Sequence, residues 1–590
     1  MTKRFRLRAG FLALAVGAVA AGGVRGAEEA SASRWISSDA VIFVELSRPV
    51  SFIDRVTDPR LQKLLDVVPG YKAAFERPEA LELRGVVSRV AEKLGTTWDK
   101  ALRDLTGRGV IAAVEAEKGQ APRAFVVVTP REDSILEKAT TVLLDLAREK
   151  GPPDLVKEAE YRGVTGHQVG PKLTFAVVRG RLVIADNGET LKAVIDRALD
   201  GLPSGRSIED QDLCKSRKAA VPSGAIAWGL ARIDRLRELD PKKFTLGEKH
   251  DTGQTLLFGG WLETARKASW ASLAVSWTDE RLGAEIALPA EPGNREGAFR
   301  GYLPPTGAGA PRTANLPGTV LELGLWRDLA ALWEARADLF RPEDVQNLAK
   351  LDTFAGQFFG GRDFGTGVLG AIGTDWRLVA ALQDYPAMKP TPDIKLPAFA
   401  LVIDLKPDDD DFAQRLKVAF QSFIGVANLG AAQTKAPPLE LGSETFEGST
   451  IATARFMPPK VDDAKDKDAE PVHYRQNFSP SAVQVGNHFV ISSSVGLARD
   501  LVKSLSAPAL APHPATLAAE ADGFALARLV DLNRTQLVMR NMLDKGHDKE
   551  RAEGEIDLLA ALLRYLGRGK LSVQDGTESM RVGLEFALGK

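Results

Sequence analysis

Hydrophobic and polar positions alternate with a period of two along many short stretches of this chain, and stretches with helical spacing lie between them. Near the end of the sequence, Arg581-Val582-Gly583-Leu584-Glu585-Phe586-Ala587-Leu588 puts Val582, Leu584, Phe586 and Leu588 on one side. Three hundred positions earlier, Arg281-Leu282-Gly283-Ala284-Glu285-Ile286-Ala287-Leu288 does the same with Leu282, Ala284, Ile286 and Leu288, and five of the eight pairs are identical. Each segment predicts a strand buried on one side. Phe175–Ala185 and Ala482–Ser492 both read as two strands around a glycine turn. A short amphipathic helix follows each, with Leu191, Val194, Ile195, Ala198 and Leu199 on one face of the first and Leu497, Leu501, Val502 and Leu505 on one face of the second.

The parallel extends further back. The strand Ala124–Val128 precedes a helix presenting Ile135, Leu136, Ala139, Val142, Leu143 and Leu146. The strand Ala398–Ile403 precedes one presenting Phe412, Leu416, Ala419, Phe420 and Phe423. Pro130 and Pro407 fall between strand and helix, where proline suits a turn or a first helical position. Glu160–Val164 and Thr445–Ser449 share an aromatic residue followed two places later by glycine. Gly224–Leu230 parallels Gly523–Leu529, and Val41–Leu46 parallels Val320–Leu325.

These patterns predict an α+β protein: two similar lobes from an internal duplication, mainly antiparallel sheets, helices packed on one face. The lobes are expected over 35–290 and 316–590. A Pro/Gly-rich connector spans 291–315, and a charged, mobile loop spans 458–472. The repeats are too long for a solenoid unit.

Composition narrows the function classes. Hydrophobic residues are 44% and charged residues 26%, as in a globular chain rather than a disordered one. Lys+Arg is 77 and Asp+Glu 78, so no basic excess points to nucleic acid. The single cysteine excludes an internal disulfide and a cysteine-based metal cage. At the start, Lys3, Arg4, Arg6 and Arg8 precede the apolar run Phe11–Ala20 and the small-residue region at Val24-Arg25-Gly26. That order predicts a secretory signal peptide over 1–26, cut after Gly26. An uncleaved membrane anchor is the alternative, but the run is short against the ~20 residues a span needs. Cleavage leaves 72 basic against 78 acidic residues. No later stretch has transmembrane length, so a soluble exported protein is expected, periplasmic or extracellular.

The combination of Trp98–Glu115, the step Tyr161-Arg162-Gly163-Val164, the hairpin Phe175–Asp186 and the helix Glu189–Leu199 resembles a family of exported bacterial proteins known only as a domain of unknown function. The resemblance covers most of the first half and, more weakly, the second. It implies a tandem α+β repeat with no established activity, and so it assigns no catalytic residue, cofactor or metal.

Isolated motifs add little. Gly365-Thr366-Gly367-Val368-Leu369-Gly370 matches a dinucleotide fingerprint, but it precedes a strand-like stretch instead of following one, as does Gly107–Ala112. Leu303-Pro304-Pro305-Thr306-Gly307 resembles a sorting pentapeptide but lies mid-chain. Cys214 is flanked by Lys215, Arg217 and Lys218, cations that favour a thiolate. Among His167, His250, His473, His488, His513 and His547, only His473 and His488 are spaced to meet across a loop. Asp408–Asp411 lacks calcium-loop spacing and suits a helix N-terminus. Glu285 and Glu585 fall on the polar side of their strands.

The expectation is therefore an exported, non-enzymatic binding or scaffold protein of the cell envelope, with an unknown protein or envelope component as partner. A hydrolase assembled from scattered residues, or a carrier of an apolar ligand between the lobes, is the alternative.

Overall fold

The computed structural model describes residues 31–65, 78–150, 152, 155–170, 173–247, 249–290, 296–312, 316–407, 411–433, 437–456 and 474–589. The expected signal peptide 1–26, the charged loop 458–472, Asp408–Asp410 and His473 lie outside them. The chain forms two compact units. The first runs to Thr245 and includes Ala268–Pro289; the second comprises Leu246–Lys267 and everything from Ala290.

The first unit's strands are β1 (Ala40–Leu46), β2 (Gly109–Glu115), β3 (Arg123–Thr129), β4 (Val156–Tyr161), β5 (Val164–Val169), β6 (Leu173–Val178), β7 (Arg181–Ala185), β8 (Ala225–Ala231), β9 (Ala271–Trp277) and β10 (Arg281–Pro289). They pair in the order β4-β5-β6-β7-β3-β2-β1-β8-β9-β10, antiparallel throughout. The two central runs, Val110–Val114 and Ala124–Val128, are continuously apolar, and an apolar run of this kind needs cover on both faces. It has both. Phe125, Val127, Ile111 and Ala113 pack with Leu191, Val194, Ile195 and Ala198 of the Gly188–Asp200 helix. Their neighbours Val126, Ala112 and Val114 pack instead with Leu236 of the Ile233–Leu239 helix, flanked by Leu239 and Phe244. The expectation of helices on one face only is corrected here.

The aromatic–X–glycine steps are hairpin turns. Arg162 and Gly163 join β4 to β5 with φ of 52° and 77°. Glu447 and Gly448 play the same part in the second unit with 47° and 80°. Positive φ at both central residues gives the twist that a two-residue hairpin needs. After each second hairpin a side chain caps the next helix: Asn187 Oδ1 accepts from the Thr190 N–H at 2.9 Å, and Ser494 Oγ from that of Leu497 at 3.2 Å.

The second unit contains β11 (Thr319–Trp326), β12 (Ile372–Ala381), β13 (Ala398–Leu405), β14 (Leu439–Phe446), β15 (Ser449–Phe456), β16 (Ser481–Val485), β17 (His488–Ser492), β18 (Leu517–Asp522), β19 (Arg568–Asp575) and β20 (Ser579–Ala587). The order is β14-β15-β16-β17-β13-β12-β11-β18-β19-β20, again antiparallel. The Val495–Ser506 helix packs on Ala400, Val402 and Val490, while the Phe412–Gln433 helix packs on Ile403 and Phe489. Because side chains alternate along β13 and β17, those are opposite faces.

Three further expectations change. Gly523–Leu532 is a helix, so it is not the counterpart of strand β8; the strand in that place is β18. Leu288 is buried, but Ile286 and Leu584, expected inside, are exposed. Gly297–Tyr302, within the expected connector, forms a 3-10 helix with Tyr302 buried. Tyr302 lies against Gly259 and Gly260 of the Thr252–Lys267 helix; a Cβ at Gly259 would sit 2.5 Å from its hydroxyl oxygen. Beside it the buried Arg327 donates to the carbonyls of Leu256 at 2.9 Å, Leu257 at 2.5 Å, Trp326 at 2.6 Å and Thr516 at 3.1 Å. Burial lowers its pKa to about 10.

Candidate functional site

Directly opposed residues in an antiparallel sheet point to the same side, so pairing registers can be followed across strands to read one face. In the second unit one such row runs Ile491–Leu401–Leu378–Leu323–Ala519–Leu571–Leu584 over β17, β13, β12, β11, β18, β19 and β20. Every member is apolar. Beside it runs Phe399–Ala380–Leu321–Ala521–Gly569–Phe586. Leu378 and Ile491 are each 39% exposed and Leu584 41%, and Phe399 is exposed as well. Leu401, Leu323, Ala519 and Leu571 are half-buried, Leu401 against the core of the Phe412–Gln433 helix. A single exposed leucine is ordinary; an apolar row seven strands wide that surfaces at three of its positions is the kind of surface that marks an interaction site.

The matching row of the first unit runs Ile184–Val126–Ala112–Val44–Gly229–Leu273–Ile286. Its central members are closed: Val126 is 0% and Ala112 1% exposed, under Leu236 and its neighbours. Its far end, Leu273 and Ile286, is open as in the second unit. Sequence reasoning missed the strip because alternation reports which residues share a side but not whether another element covers that side.

The polar candidates resolve differently. Cys214 is buried beside a recess of about 170 Å³ that Ser33, Phe43, Glu209, Lys215, Lys218 and Trp228 also line. Burial pushes its thiol up to about 11, against the lowering effect of Lys218. The flanking cations therefore do not give a thiolate at neutral pH, and Lys218 is engaged with Glu45 at 3.3 Å, which also accepts from Trp228 Nε1 at 3.0 Å.

His488 Nδ1 lies 2.5 Å from Asp404 Oδ1, and Arg377 Nη2 is 3.9 Å from the same oxygen. Burial and then Asp404 raise the pKa of the neighbouring Asp375. By pairing register, Ile111, Thr129 and Arg181 hold the places of Arg377, Asp404 and His488 in the first unit. The cluster is thus particular to the second unit, and a carboxylate on an imidazole nitrogen fixes the ring's orientation. The other described histidines stand on separate elements. His167 lies tilted against the Phe175 ring in β5–β6, His250 precedes the Thr252–Lys267 helix, His513 pairs its backbone with Ala310, and His547 Nδ1 lies 3.2 Å from Glu555. Burial lowers the pKa of His513. No group of three or more His, Cys, Asp or Glu side chains among the described residues is placed to hold a metal ion.

The glycine motifs are steric. Gly365 lies in the turn that leads into β12, and a Cβ there would fall 2.3 Å from the Trp333 ring. Gly107 precedes β2, where a Cβ would meet the Arg131 backbone at 2.6 Å. Leu303 of the sorting-like pentapeptide is buried. Asp411 immediately precedes the Phe412–Gln433 helix, as the helix-start reading expected. Glu285 is half-buried and Glu585 exposed. Among the described residues no helix is long and apolar enough to cross a membrane.

Comparison with known proteins adds no identity. No protein family matches the sequence, and no curated protein does. Solved structures titled crystal forms I, IV and III of TP0453 align over 45%, 44% and 44% of this chain and 80% of each of theirs, at 9%, 8% and 8% identity with TM-scores of 0.23, 0.24 and 0.23.

Proposed function

We propose that this is an exported, non-enzymatic binding protein of the cell envelope, built from two copies of one α+β module. In this reading the open apolar sheet face of the second unit is its contact surface for an envelope protein. The observation that carries the reading is the Ile491–Leu584 row, apolar at every position and open at Leu378, where its first-unit counterpart Ala112 is sealed. Apolar surface left in water is unfavourable by about 25 cal/mol per Å², and a partner that covers it recovers that free energy. Support for duplication comes from the identical strand order of the two units and from the equivalent turns and caps. The pairing register relates β10 to β20 by 298 positions, two away from the alignment of identical residues. The basic and apolar N-terminal segment supports export.

The same surface also favours a carrier of an apolar ligand, and one experiment separates the readings. The mature chain 27–590 carrying a photo-crosslinker at position 378 is illuminated in the native envelope, and in parallel is titrated with a fluorescent fatty acid. A defined protein adduct, abolished by Leu584→Lys, supports the proposal. Stoichiometric fatty-acid binding without an adduct supports the carrier. Turnover of an ester, peptide or glycan that is lost in His488→Ala would overturn both.

A further inference from the structure

The Phe412–Gln433 helix is apolar on two sides. Its inner side buries Phe412, Leu416, Phe420 and Ile424 against β13, β15, β16 and β17. Its outer side, where a surface helix normally carries charge, presents Val418, Phe423, Val426 and Leu429 to solvent, with Phe423 61% and Leu429 69% exposed. No charged residue occurs from Val418 to Gln433. Phe423, expected on the core face, lies on this outer side. The helix at the same point of the first unit, Asp133–Lys150, turns Glu137, Lys138, Asp145, Arg148 and Glu149 outward.

We propose that this outer face pairs with the same face of a second copy of the chain, as an antiparallel helix pair about a two-fold axis. Along the outer side run the half-buried Ala419 and the exposed Ser422, Val426, Leu429 and Gln433, spaced three, four, three and four. That is the spacing of a seam between two packed helices. The strip carries no charge, so it meets its own copy without like-charge repulsion and buries no unpaired ion. The helix's own charges, Arg415 and Lys417, lie at one end, and an antiparallel pair keeps them apart whereas a parallel pair would bring them together. A lone helix ridge is convex and cannot enclose a small molecule, which binds in concave sites. A helix lying in a membrane interface carries basic residues along its whole polar face, and beyond Lys417 this one has none. The four exposed side chains leave on the order of 400 Å² of apolar surface per copy, the size of patch that marks an interface on a monomer. Doubled, that falls short of the ~1,200 Å² of a standard stable complex, so the dimer is weak and concentration-dependent.

The test is sedimentation equilibrium of the mature chain over a range of concentrations, together with oxidative cross-linking of Val426→Cys. The native Cys214 is buried and does not compete. The expected result is a reversible dimer, lost in Leu429→Glu with no change in melting temperature, and a disulfide-linked dimer of Val426→Cys, whose two copies meet at the axis. Four results would overturn the proposal: a wild type that stays monomeric at every concentration, a dimer that survives Leu429→Glu, no cross-link at position 426, or a monomer that instead co-sediments with phosphatidylcholine vesicles through Leu429.

Discussion

Strands β2 and β3 of the first unit and β12 and β13 of the second hold the same place in the same strand order, yet one pair is sealed and the other half-open. Ala112 and Val126 lie under Leu236, Leu239 and Phe244. Leu378, at the place of Ala112, is 39% exposed. The small residues of the first unit, Ala112 and Gly229, match Leu378 and Ala519 in the second. Smaller side chains let a covering helix approach, whereas larger ones raise the sheet surface toward solvent. A shared topology therefore fixes where a strand lies without fixing what covers it.

The largest expected effect breaks the comparison at its centre. Val126→Asp puts an uncompensated carboxylate in a sealed core and destabilises the first unit by about 4 kcal/mol. Leu378→Asp, at a position 39% exposed where the carboxylate stays in water, should cost about 1–2 kcal/mol. Urea unfolding of the two variants reads the difference, and equal losses would mean that the second-unit face is closed in solution.

Phenylalanine truncation sharpens it. Phe125→Ala should cost about 4 kcal/mol, because Phe125 is fully buried beneath the Gly188–Asp200 helix. Phe399→Ala should cost about 1 kcal/mol, since Phe399 is half exposed and meets Phe478 edge-on. The two residues look equivalent in sequence, each following an alanine at a strand start. The registers separate them: Phe125 lies opposite Ala185, whereas Ala400 lies opposite Ser492, the residue in the place of Ala185. A one-residue offset moves a side chain to the other face.

Uncovering the sealed face should create a second site. Leu236→Ala is expected to cost about 3 kcal/mol and to let an environment-sensitive apolar dye bind the first unit. Dye binding unchanged from wild type would show that Leu236 is not the cover.

Much of this architecture was legible before the structure. The hairpins Phe175–Ala185 and Ala482–Ser492, the helices after them and the opening strands follow from period-two and period-3.6 spacing with glycine turns. Gly523–Leu529 parallels the β8 segment in sequence because its Phe-Ala-Leu-Ala run suits either state, yet it is helical and capped by Asp522, which accepts from the Phe524 and Ala525 N–H groups. The open strip, the outer face of the Phe412–Gln433 helix and the Arg377–Asp404–His488 cluster depend on contacts between residues far apart in sequence, which no local pattern encodes.

The smallest effect concerns that cluster. Burial holds the folded pKa of Asp375 above its unfolded value, so its contribution to stability is present in acid and lost as the pH rises through the folded value. Asp375→Asn should therefore raise the melting temperature at neutral pH, with the gain shrinking toward acid. Gly109→Ala, at its first-unit counterpart, strains a backbone at φ 122° but has no such pH dependence.

The most direct test of the account is the rate of maleimide labelling at Leu378→Cys, measured on purified chain 27–590 and again in the native envelope. The buried Cys214, with its thiol pushed up to about 11, reacts too slowly to interfere. Fast labelling of the purified protein that slows in the envelope is the predicted result. Slow labelling in both would contradict the open face, and equally fast labelling in both would contradict its role as the partner surface.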